Sequence, residues 1–233
     1  MAVWGFAKLK RKSKKLFSEV GKQRERIAES GNVQAMVNVL WAYGGNAVHD
    51  SELFCAIMTN AKIIADEGTP GNISNAVWSC ARIGFDAPIL FASVDSNITK
   101  FLSSAEPSQI ANLTWAFATN GIFSETLFKG ISSEEEGGVM EILVEKCTEI
   151  EVCNLLWSYS IAGLLPLGEP LIKLLWSRAC SFFPTLNGTH LQNLFIFFVT
   201  VQVEEKSGSY TLEIQGPSER FMIQMVQASN TRE

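Results

Sequence analysis

Four tryptophans constrain this chain more than anything else in it. Trp4, Trp41, Trp78 and Trp115 stand 37 residues apart each time, and a fixed period of that length is the signature of a repeat architecture. A second marker keeps the same phase. Leu16-Phe17, Leu53-Phe54, Leu90-Phe91 and Leu127-Phe128 each begin 12 residues after a Trp. Farther along the spacing loosens: Trp157 follows after 42 residues, with the surplus in the polar, glycine-containing insertion Ser132–Gly138. Leu171-Ile172 then replaces Leu-Phe, and a sixth unit begins at Asn193, where Ile196 takes the Trp place after 39 residues.

Within a unit the apolar spacing is helical. Leu90, Phe91, Val94, Ile98, Phe101 and Leu102 draw one stripe, which predicts a single helix of about four turns, helix B. The Trp belongs to a shorter helix A, as in Ile110 to Ala118, with Glu106-Pro107-Ser108 as its start. Gly84, Gly121 and Gly163, each six residues after a Trp, are expected to end helix A in the left-handed conformation that glycine reaches without a side-chain clash. One helical hairpin cannot bury both of its apolar faces, so neighbours must stack.

The expected fold is therefore all-α, a right-handed α-solenoid of two-helix repeats over residues 1–203. It would have about six units, the first and last incomplete. Because Met1-Ala2-Val3-Trp4 lacks the front half of a helix A, the chain reads as part of a longer array or an incomplete product of one. Its uncapped ends would offer apolar surface to other proteins.

Composition excludes several classes. The run Leu194–Val199 falls far short of the roughly 17 to 25 apolar residues of a membrane-spanning helix. Cys55, Cys80, Cys147, Cys153 and Cys180 form no CxxC pair, and His49 and His190 are the only histidines, so no metal site is expected and the thiols read as buried and reduced. No cofactor motif, phosphate loop or Ser/His/Asp set appears. Charge is uneven. Residues 1–26 hold nine basic side chains against Glu19 and Glu25, a net of +7, while the remainder carries −12. Contact with a polyanion would concentrate at the N-terminal end. The basic run Lys8–Lys15 reads either as part of a targeting signal or as a solvated loop between helices, and it makes no clear transit peptide.

Two recurrent positions are candidates for function. Trp41, Trp78, Trp115 and Trp157 are read as structural core, since burying an indole is the largest contribution a small unit can make; a base-stacking role is the alternative. Asn38, Asn75, Asn112, Asn154 and Asn193 each stand three residues before the Trp place. A polar residue of low helix propensity in every internal copy has two explanations. It either ties one hairpin to the next or points its amide at a ligand on the concave face. The position four beyond the Trp shares that face and varies: Lys8, Gly45, Arg82, Thr119 and Ile161.

The segments Asn75–Gly84, Asn112–Gly121 and Asn154–Gly163, with their N-x-x-W-[AS] core, resemble the helix A signature of the octotricopeptide and heptatricopeptide helical repeats. The resemblance covers about residues 1 to 200. A second stretch, Leu212–Phe221, is similar to the motif that marks a RAP domain: Glu213, Gly216, Pro217, Ser218 and Phe221 agree, whereas Gln215 and Glu219 stand where that motif has Asp and His. Residues 207–222 thus read as a truncated RAP-like segment with a short strand over Tyr210–Ile214, followed by a disordered tail over 223–233. The resemblance implies single-stranded RNA as partner and a mitochondrion or chloroplast as location, acting on processing, stability or translation of organellar transcripts. The residues would be Asn38, Asn75, Asn112, Asn154, Lys8, Arg82 and Thr119. The rival reading is an armadillo-like scaffold binding an extended peptide, favoured by the negative balance after residue 26. An enzyme is not expected, because Glu213 has no partner carboxylate for metal-dependent cleavage.

Overall fold

The computed structural model describes residues 2–9, 11, 13–134 and 138–230. Lys10 and Lys12 of the basic run, residues 135–137 of the insertion and the last three residues lie outside them. Among the described residues the chain is entirely helical, with sixteen α-helices, two 3-10 turns and no strand. It divides into two compact units, Met1–Asn120 and Gly121–Glu233. None of the described helices is long and apolar enough to cross a membrane.

The first unit holds α1 (Ala2–Lys8), α2 (Lys14–Gly21), α3 (Arg24–Glu29), α4 (Val33–Gly45), α5 (Ser51–Met58), α6 (Ala61–Glu67), α7 (Pro70–Ile83), α8 (Pro88–Ser96), α9 (Ile98–Leu102) and α10 (Pro107–Thr119). The Trp-bearing helices form one row, α1 against α4, α4 against α7 and α7 against α10. A second row runs beside it, α3 against α5 and α6 against α8.

The single long helix B expected from the apolar stripe is two short helices with a break between them. Gln23, Asn60 and Asn97, 37 residues apart, hold φ/ψ of −94/14°, −100/16° and −109/13°. That is the sparsely populated bridge region, outside the helical well. Asn60 Nδ2 donates to the Ala28 carbonyl at 3.2 Å, and Asn97 Nδ2 to Asp66 Oδ1 at 2.8 Å. The breaks at Asn60 and Asn97 are thereby bonded to the preceding hairpin. The stripe survives it, since Leu90, Phe91, Val94, Ile98 and Phe101 are all buried, which is why periodicity alone did not reveal the kink.

Local chemistry starts and stops these helices in phase. Ser13, Asp50 and Ser124 accept from the backbone N–H three residues on, satisfying a donor that the first helical turn leaves without a partner. Thr69 and Asn72 make a reciprocal capping box, as do Glu106 and Gln109. At the other end Gly84 and Gly121 take φ of 67° and 66°. The same place in the second repeat is Ala47, at φ 50° the one described non-glycine residue with positive φ.

The small residue after each Trp has a packing cause. Ala42, Ser79 and Ala116 are fully buried, and a Cβ on neighbouring Gly44 would stand 2.9 Å from Ser79 Cα. Backbones of α4 and α7 meet there, so nothing larger fits. One position farther, Tyr43, Cys80 and Phe117 are also fully buried. Tyr43 meets Phe17 edge-on at 4.8 Å and donates its hydroxyl to the Phe17 carbonyl at 2.5 Å; Phe117 meets Phe91 at 5.1 Å in the same manner. The aromatic core is thus built two residues after the Trp, on the Phe of the Leu-Phe marker.

The second unit holds α11 (Glu125–Ile131), α12 (Val139–Lys146), α13 (Glu149–Ala162), α14 (Glu169–Phe182), α15 (Gly188–Ser207) and α16 (Glu219–Asn230). The pattern persists: Tyr159 meets Phe128 edge-on at 4.8 Å and donates to its carbonyl at 2.9 Å, and Gly163 closes α13 at φ 66°. α13 packs on α14 and α15, and α15 on α16.

Three expectations for the C-terminal part need correction. Helix α15 runs through residue 203 to Ser207, so no boundary falls there. Tyr210–Ile214 is irregular chain and not a strand. The stretch from 223, expected to be disordered, is helical to Asn230, because Phe221, Met225 and Ala228 form a buried stripe.

Candidate functional site

Helix A turns one line of residues outward. In the first unit this line carries Asn38, Asn75 and Asn112, all half-buried, the indoles of Trp4, Trp41, Trp78 and Trp115, also half-buried, and the exposed Lys8, Gly45, Arg82 and Thr119. Seven residues before each Trp, Gln34, Gly71 and Ser108 extend it. Helical period brings these positions to one face, at steps of three, four and seven. Trp41, Trp78, Trp115 and Trp157, read from the sequence as structural core, are half-buried, and the residues one and two farther on are fully buried.

The rings lie against one another. Trp4 and Trp41 have centroids 6.5 Å apart at a tilt of 46°, and Trp78 and Trp115 are 6.5 Å apart at 41°. The Lys8 ammonium sits 5.2 Å from the Trp4 centroid and 5.8 Å from that of Trp41, held by the negative faces of both rings.

Two of the asparagines, Asn38 and Asn154, take part in side-chain hydrogen bonds. Gln34 Nε2 donates to Asn38 Oδ1 at 3.0 Å along the helix, and Gln34 Oε1 accepts from Asn72 Nδ2 of the next hairpin at 3.1 Å. In the second unit Asn193 Nδ2 donates to Asn154 Oδ1 at 3.2 Å, a direct tie between α15 and α13. Each such amide still has capacity for further bonds. In the second unit Ile150 and Ile161, seven residues before Trp157 and four beyond it, are exposed.

The five residues of the RAP-like match form no cluster of their own. Glu213, Gly216 and Ser218 are exposed, Pro217 is half-buried and Phe221 is buried. Two of them, Ser218 and Phe221, make contacts that hold the start of α16. Ser218 Oγ accepts from the Phe221 N–H at 3.3 Å and its carbonyl from Met222 N–H at 2.9 Å, capping α16. Phe221 stacks on Trp176 at 6.1 Å and 10°, while Trp176 Nε1 donates to the Gln215 carbonyl at 2.7 Å. Trp176 lies outside the 37-residue register, which is why the repeat gave no hint of it.

Burial pushes the Cys80, Cys147 and Cys153 thiols up to about 12, so they stay protonated and inert; Cys55, expected to be buried, is exposed and Cys180 is half-buried. Burial lowers His190, with Glu149 pulling the other way. Among the described residues no group of three His, Cys, Asp or Glu side chains could hold a metal ion. Comparison with protein-family models finds no match for this chain, and comparison with curated proteins finds none either.

Proposed function

We propose that the chain is a right-handed α-solenoid of two-helix units that binds single-stranded RNA along its row of A helices, as a binding protein and not an enzyme. One observation carries this reading. The outward line of the first unit combines half-buried indoles, amides and the cations Lys8 and Arg82, and none of the positions named on it is a carboxylate. Indole faces stack any base, Asn amides pair with base edges, and cations meet phosphates.

A scaffold for a basic peptide would need acidic side chains on that line, so the negative charge of the rest of the chain does not favour it there. The narrower reading, action on processing, stability or translation of transcripts in a mitochondrion or chloroplast, rests on the resemblance of the N-x-x-W-[AS] segments alone. Retention of a random single-stranded RNA pool on a filter, measured against salt, tests the proposal. Retention that weakens as salt rises is the expected result; no retention at low salt ends the RNA reading.

A further inference from the structure

Beside the first Leu-Phe marker the helices leave a cavity of about 450 Å³, between the start of α2 and the turn from α4 to α5, with Phe17, Tyr43 and Val48 among its walls. One repeat farther on, a ring lies in the corresponding place. Phe85 and Phe54 stand 37 residues after Val48 and Phe17, and the half-buried Phe85 ring is 5.2 Å from that of Phe54. In the first seam the fully buried Tyr43, at the place of Cys80, covers the inner side of Phe17. Val48 is too short to cover the outer side as Phe85 does, and the cavity lies there. Its polar groups differ in what they still offer. Asn46, 5% exposed, donates Nδ2 to the Ala42 carbonyl at 3.0 Å, and among the described residues no donor meets its Oδ1. Lys14 is exposed in the first turn of α2 and has no ion pair among the described residues. Asp50 is committed as the cap of α5, accepting from the Leu53 N–H at 3.0 Å, where the positive end of that helix offsets its charge.

We propose that this cavity binds a free nucleoside monophosphate whose base carries an exocyclic amine. The base takes the place that Phe85 fills one repeat on, against Phe17, in the tilted contact that aromatic rings favour. Its amine donates to Asn46 Oδ1, the acceptor left on an otherwise enclosed amide. The phosphate meets the Lys14 ammonium. The volume lies within the range of about 300–1,000 Å³ usual for small-ligand sites, which combine apolar walls with a few placed polar groups. This site shares no residue with the outward line of the Trp-bearing helices and stands independently of the RNA reading.

Calorimetric titration of the full chain at low salt with adenosine monophosphate is the test, and inosine monophosphate is the comparison that needs no variant. Inosine monophosphate turns a carbonyl toward Asn46 Oδ1 in place of the amine, so it binds about tenfold more weakly, the scale of one lost hydrogen bond. Val48→Phe supplies the ring of the next repeat and fills the cavity. It abolishes adenosine monophosphate binding, with helicity by circular dichroism unchanged. Lys14→Gln weakens adenosine monophosphate about threefold, the scale of an exposed ion contact, and leaves adenosine itself unaffected. Absence of binding at millimolar adenosine monophosphate, equal affinity for the two nucleotides, or undiminished binding by Val48→Phe each overturns the proposal. A 5′-phosphorylated oligoadenylate offers the same base and phosphate from a strand end. It is expected to leave bound adenosine monophosphate in place, and displacement by it overturns the assignment to a free nucleotide. Filter retention of RNA by Val48→Phe matches that of the unmodified chain, so the two readings fail separately.

Discussion

At Ala47 the chain adopts at φ 50° a backbone conformation that its counterparts Gly84, Gly121 and Gly163 take with no side chain to accommodate. A left-handed residue with a Cβ costs about 1–2 kcal/mol, and glycine returns part of that gain through its freer unfolded state. Ala47→Gly is expected to raise stability by about 0.5–1 kcal/mol, and Gly84→Ala to lower it by about 1 kcal/mol, both measured by chemical denaturation. A loss on Ala47→Gly would show that the second repeat's turn is held by something other than its φ. The same scale explains what was legible residue by residue. Glycine six after the Trp is a statement about local backbone and is readable in the sequence; Tyr43, Phe117 and Tyr159 at the second place after the Trp are equally visible there, but the sequence does not say that they are more fully enclosed than the indoles. Only the neighbour's Phe17, Phe91 and Phe128 show which ring is enclosed.

Elements of the second unit are joined by polar ties that periodicity does not encode. Arg178 on α14 donates to the carbonyls of Val144 and Cys147, the latter at 2.6 Å, closing the C-terminal end of α12. Bonds from a charged donor to carbonyls at a helix end are worth more than neutral ones. Arg178→Met is expected to cost about 2 kcal/mol and to raise amide exchange selectively in Val139–Lys146; uniform change across the unit would contradict a local cap. The irregular segment before α16 is tied by another such contact. Tyr210 donates to Glu169 Oε2 at 2.6 Å, and Lys173 binds the other oxygen at 2.7 Å. The Lys173 hydrogen bond, then that of Tyr210, holds the Glu169 carboxyl below its ordinary value. A carboxylate lowered in the folded state stabilises fully above its unfolded value and loses that contribution as pH falls through the folded one. Acid below the usual carboxylate range should therefore release Tyr210–Ser218, seen as faster amide exchange there. Glu169→Gln should remove the pH step, and a step that persists in this variant assigns it to another group.

For the whole molecule the electrostatics are split. A chain of net charge −5 binds a polyanion only through its local positive positions, and the outward line of the first unit has two, Lys8 and Arg82. Two phosphate contacts on a single strand predict a slope of about −1.4 in log affinity against log salt; a slope several times steeper would mean that the basic residues of Lys14–Arg26 carry the contact instead. By itself the sequence determined the 37-residue spacing of its markers, the helical class, the glycines that end Trp-bearing helices and the residue types on their outward line, because these follow from periodicity and backbone preference. Tertiary structure decided that helix B breaks at Asn60 and Asn97, that the indoles are half-buried while the residues after them are enclosed, and that Glu219–Asn230 folds as a helix with Phe221 on Trp176. Those features depend on what a neighbouring hairpin places opposite each residue, and burial and pairing are properties of two surfaces, of which a single chain segment writes only one.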